Sequence, residues 1–82
     1  MELYLQIFEK IGDGFILEMN ISKYDITILN EICPPEEEGD YYYCGGYFIE
    51  EFQFNKLKKI IKELANYDYD SYDYNFLAKQ SW

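Results

Sequence analysis

The densest chemistry in this chain is the stretch NYDYDSYDYNF, residues 66–76, where Asp68, Asp70 and Ser71 open like a loop of oxygen ligands. A calcium loop places ligands at its first, third and fifth positions, a glycine at the sixth for the sharp turn, and a bidentate glutamate at the twelfth. Counted from Asp68, those last three places hold Tyr72, Asp73 and Lys79, so the register fails where it matters most. General acid, base and nucleophile sets fare no better, because the chain has no histidine and no arginine. Neither GDG nor CGG carries the glycine spacing and following Lys-Ser/Thr of a phosphate loop. Nothing places two carboxylates together in an apolar pocket, which acid/base pairing requires. The expectation is a protein that is not an enzyme, with no catalytic residue, no metal and no cofactor.

Cys33 and Cys44 are the only cysteines, and their separation fits no metal or redox motif. They are expected as free structural thiols, Cys33 half-buried at the end of a helix and Cys44 on a strand in the core.

Charge is more informative. The formal net charge is −9, from 16 acids against 7 lysines. That argues against direct contact with nucleic acid or an anionic membrane and favours a basic partner. Residues 31–51 hold Glu31, Glu36, Glu37, Glu38, Asp40, Glu50 and Glu51 with no lysine at all. Tyrosines accompany the acids: Tyr41, Tyr42, Tyr43 and Tyr47 here, and Tyr67, Tyr69, Tyr72 and Tyr74 in the C-terminal run. Tyrosine anchors an interface because its rigid apolar body and polar tip lose little rotamer entropy, while carboxylates around it attract and orient a cation-bearing partner. The expected partner-binding residues are therefore Glu36, Glu37, Glu38, Asp40, Tyr41, Tyr43, Asp68, Asp70, Tyr72 and Asp73.

The elements that must carry these residues are legible in part. ELYLQIFE, residues 2–9, alternates Leu3, Leu5 and Ile7 against Tyr4, Gln6 and Phe8, the period of a strand. KIGDG supplies glycine at turn positions around Asp13, and FILEMN returns as the second arm of a hairpin. Ser22 and Asp25 have capping-box spacing, and Pro34 and Pro35 stop the chain, so a helix is expected over 23–32. YYYCGGYFI, residues 41–49, reads as a third strand, with Gly45 and Gly46 marking a bulge or close backbone approach. Phe54, Leu57, Ile60, Ile61 and Leu64 recur at helical spacing within a second helix over 50–65. Tyr72, Tyr74 and Phe76 fit either period, and a short helix after Ser71 is the reading adopted. The sum is one α+β domain spanning residues 1–82: a small antiparallel sheet of about three strands, with two main helices on one face, in the order β-β-α-β-α plus a short C-terminal element. Six phenylalanines, ten tyrosines and one tryptophan supply large side chains for a core this small. No apolar run spans a bilayer and the N-terminus lacks a signal-peptide pattern, so a cytoplasmic protein without membrane contact is expected.

YLQIFEK with its following hairpin, YFIEEFQ ahead of the second helix, and the closing YDYDSYDYNFL occur in this order across most of the chain. In this the sequence resembles small acidic bacterial immunity proteins encoded beside contact-dependent growth inhibition and related polymorphic toxins. Phe48 stands where the usual step carries proline. The resemblance implies an antitoxin that binds the C-terminal toxin domain of its cognate system, often a nuclease, and neutralises it. An acidic nucleic-acid mimic of phage type, blocking a host defence nuclease, follows from the same charge logic.

Overall fold

The computed structural model describes residues 1–12 and 14–80; Asp13 of the expected turn and Trp82 of the expected core lie outside the described residues. Strand β1 (Glu2–Glu9) buries Leu3, Leu5 and Ile7 and pairs antiparallel with β2 (Phe15–Asn20). Glu9 N–H closes the hairpin onto the Gly14 carbonyl at 2.7 Å, and Gly12, at φ +90°, takes a backbone conformation that L side chains disfavour. The register shifts between Ile7 and Phe8, leaving Ile16 unopposed as a bulge.

Helix α1 (Ile26–Ile32) begins three residues later than the sequence suggests. Asp25 is the N-cap, its carboxylate accepting from Thr27 N–H at 2.8 Å. The expected Ser22–Asp25 capping box does not form because Ser22 is used elsewhere: its hydroxyl accepts from Leu3 N–H at 2.9 Å and so ties the chain to β1. Cys33 caps the C-terminus directly before Pro34. Of the expected third strand only Tyr47–Phe48 remains, as β3; residues 41–46 are a loop. Gly46, at φ +82°, lies where an added Cβ would be 3.6 Å from the Asn75 side chain, so the close approach foreseen at the glycine pair is made there.

Helix α2 is also shorter than its periodicity suggests, covering Glu51–Leu57 and followed by a 3-10 turn at Lys62–Leu64. Ile61 is extended between them, and Lys62 N–H donates to the Tyr24 hydroxyl at 3.0 Å rather than continuing a helix. Leu57, Ile61 and Leu64 are nevertheless fully buried, so the apolar spacing is satisfied by a tighter path. The buried Gln53 holds the junction: its side-chain oxygen accepts from Glu50 N–H and its nitrogen donates to the Tyr47 hydroxyl.

The main correction concerns the C-terminus. Tyr72–Lys79 is not a helix but a strand, β4, paired with β1 along its whole length and with β3 on its other side. The period-two pattern of Tyr72, Tyr74 and Phe76 prevails because β4 inserts at the centre of a four-stranded antiparallel sheet of order β2-β1-β4-β3. The fold is α+β, as the sequence implies, with one strand more than expected. Leu5, Ile7, Tyr74 and Phe76 from one sheet face join Leu29 of α1 and Phe54 and Leu57 of α2 in a single buried cluster. The opposite face, bearing Tyr4, Gln6, Phe8, Asp73, Asn75 and Leu77, remains partly open. Among the described residues no helix is long and apolar enough to cross a membrane.

Candidate functional site

The two acidic, tyrosine-rich segments do not form one surface. Tyr43 of the first lies beside Ala78, whose N–H points to the Tyr43 carbonyl, near the C-terminal end of β4. Asp68 of the second lies just before the other end, with the Tyr74 hydroxyl donating to its carbonyl. At about 3.3 Å per residue, the strand between Tyr72 and Ala78 separates them by about 20 Å.

In the first segment, α1 and β3 hold a loop that is firmly tied at a few points. Asp40 accepts from Cys44 N–H at 2.8 Å and from Gly45 N–H at 3.1 Å, and these two backbone donors hold its carboxyl below the usual range. Asn30 donates to the Tyr41 carbonyl and to the Tyr43 hydroxyl, which itself donates to the Cys33 carbonyl at 2.7 Å. Tyr43 is 1% exposed, stacks on Phe76 with centroids 4.9 Å apart, and adopts a left-handed φ of 58°. Burial pushes its hydroxyl pKa up. The expectation that Tyr43 meets a partner is therefore corrected: it locks the loop to the core. Asp40 likewise serves mainly to shape a turn. Glu36, Glu37, Glu38 and Tyr41 do stand exposed, joined by Tyr42, and none of the three glutamates has an ion-pair partner among the described residues. Glu36, Glu37 and Asp40 line a small recess with Tyr47.

In the second segment most tyrosines turn inward. Tyr74 is fully buried with its ring 4.5 Å from that of Phe54. Tyr69 leans on Phe54 and donates to the Ile49 carbonyl at 2.8 Å. Tyr72 is half-buried, edge-on to Tyr67, and so offers less to a partner than the sequence suggests. Asp68 accepts from Ser71 N–H at 2.7 Å, and its interactions with Ser71 keep its carboxyl below the usual range. Asp70 is exposed. Asp73 faces the open side of the sheet, 3.3 Å from the Lys10 ammonium. Burial first, then the negative charges of Asp73, Glu50 and Glu51, raise the Tyr69 pKa above its ordinary value. The start of α2 thus lies near this second acidic end.

Reading by composition missed several exposed aromatic residues: Phe15, Phe48 and Phe52 are 57%, 51% and 57% exposed. A signal for Phe52 was present, since it falls off the Phe54–Leu57 stripe, and Phe8 sits on the otherwise polar side of β1. Cys44 is likewise exposed in the loop rather than buried on a strand, whereas Cys33 is fully buried and burial pushes its thiol up to about 12. Both thiols are free. Among the described residues no three Asp, Glu or Cys side chains gather in a metal-binding group.

With a partly open sheet face and acidic residues toward both ends of β4, the architecture is that of a small α+β domain. The chain belongs to a family described as a domain of unknown function, DUF7683, which matches residues 2–77. No curated protein and no solved structure matches it.

Proposed function

We propose that this protein is an immunity-type inhibitor that binds a cognate bacterial toxin, a basic nuclease, in a stoichiometric complex. The observation that carries the reading is the loop after α1, where Glu36, Glu37 and Glu38 stand exposed beside the exposed rings of Tyr41 and Tyr42. The lack of any lysine within residues 31–51 adds to the field there. Such an arrangement attracts a cationic surface from a distance and offers aromatic area once contact is made. Steered association of this kind reaches about 10⁸ M⁻¹s⁻¹ at low salt and slows as salt rises.

The test is co-expression with the product of the adjacent upstream reading frame, scoring cell rescue and co-purification. The expected result is rescue with a one-to-one complex, and slower association at physiological than at low salt. Absence of both rescue and complex would sink the proposal. Protection that does not depend on the cognate toxin would favour the nucleic-acid mimic instead. Replacing Glu36, Glu37 and Glu38 together by Gln should reduce the association rate about tenfold or more at low salt while leaving the fold intact.

A further inference from the structure

The open sheet face carries a row of aromatic rings at its Asp73 end. Phe15 of β2 meets Phe8 of β1 edge to face, with centroids 5.6 Å apart. Phe8 stands opposite Asp73 of β4, and one rung along, Phe48 of β3 stands opposite Asn75. Phe8, Phe48, Asp73 and Asn75 line a shallow depression. Its sides are two phenyl rings, and carboxylate and carboxamide groups lie between them. The helices pack on the other face, so nothing in the described chain covers it.

The charge around this depression already selects a cation. The Lys10 ammonium lies 3.3 Å from the Asp73 carboxylate and 4.3 Å from the centroid of the Tyr69 ring. Lysine satisfies such a place only as a point charge. A flat guanidinium can stack on a phenyl ring, bridge both oxygens of a carboxylate and also donate to a carboxamide oxygen. The chain contains no arginine that could fill the site from within or from a second copy, and two copies at −9 each would repel.

We propose that this depression is an arginine socket: a docking surface for an arginine borne on an extended segment of a basic protein, its guanidinium lying against Phe8 and Phe48 and paired with Asp73. The proposal rests on the reading of a basic protein partner and adds a second contact, at the far end of β4 from the acidic loop. There the incoming guanidinium displaces Lys10 from Asp73. Phe15 extends the apolar strip for the residues flanking the arginine.

The test is an NMR titration of the isotope-labelled full chain with a capped peptide of alternating arginine and valine, and with its lysine counterpart. Shifts should centre on the amides of Phe8, Phe48, Asp73 and Asn75. The arginine peptide should half-saturate at about a fivefold lower concentration than the lysine peptide. Asp73→Asn and Phe48→Ala, each checked for a native spectrum, should weaken the arginine peptide about threefold or more. Shifts centred on Glu36–Glu38, equal response to the two peptides, or no response at millimolar peptide would overturn the socket. Concentration-dependent shifts of the free protein at these residues would also overturn it, by assigning the face to a second copy. The outcomes separate from those of toxin co-expression: toxin binding undiminished in both variants overturns the socket alone. Failed rescue together with a specific arginine response overturns the toxin assignment and supports the socket.

Discussion

EEEGDYYY and YDYDSYDY are nearly interchangeable as compositions, yet the fold uses them in opposite ways. The first becomes a loop whose glutamates and first two tyrosines point outward, with only Tyr43 turned into the core. The second becomes a turn and the opening of a central strand, so Tyr74 is fully buried while Asp73 lies on the open face. The difference comes from alternation. A strict period of two divides tyrosine from aspartate between the two faces of a strand, whereas three consecutive tyrosines, Tyr41 to Tyr43, cannot all be buried on one. Acid and tyrosine together therefore mark a surface in one region and a core strand with a polar back in the other.

The largest expected contrast is in stability. Tyr74→Ala removes a fully buried ring packed against Phe54 and should cost about 3–5 kcal/mol in chemical denaturation. Tyr42→Ala in the loop should cost less than about 0.5 kcal/mol. Equal costs would break the comparison.

A smaller effect concerns acid. Glu63 accepts from the Tyr24 hydroxyl at 2.6 Å and pairs with Lys23 at 2.9 Å, and these partners, Tyr24 foremost, hold its pKa at about 2. Because the folded value lies below the unfolded one, of about 4.3, its contribution is complete above that value and is lost as pH falls toward 2. Glu63→Gln should therefore flatten the acid limb of the stability profile between about pH 4.5 and 2 while keeping its slope unchanged above. An unaltered acid limb would show that the contact is not holding the proton off.

The smallest effect leaves stability untouched. A thiol reagent should label Cys44 in the native protein at once and Cys33 only on unfolding, since Cys33 is buried with its thiol pushed up to about 12. Simultaneous labelling would show the loop and the end of α1 opening together.

Much of the fold could be read from the sequence where one period stood alone. Leu3, Leu5 and Ile7 admit only a strand, and Pro34 admits only a helix end. The C-terminal strand was ambiguous because Tyr72 and Phe76 satisfy both periods, and the choice is made by β1 and β3 on either side of it. Helix α2 is shorter than its periodicity implies for a related reason: beyond Leu57, Ile61 and Leu64 reach the core through an extended residue and a 3-10 turn once the Tyr24 hydroxyl takes Lys62 N–H. The candidate site was legible in its charge but not in its layout. Sheet order is a tertiary fact, and only the insertion of β4 beside β1 sends the two acidic segments to opposite ends.

Amide hydrogen exchange across the two segments tests that central contrast most directly. Asp73, Asn75 and Leu77, whose N–H groups face β1, should be among the most protected amides, exchanging only with opening of the sheet, while Glu36, Glu37 and Glu38 exchange at close to unfolded-chain rates. Equal and rapid exchange through residues 72–79 would contradict the account, because the C-terminal run would then be the loose acidic tail that its composition resembles.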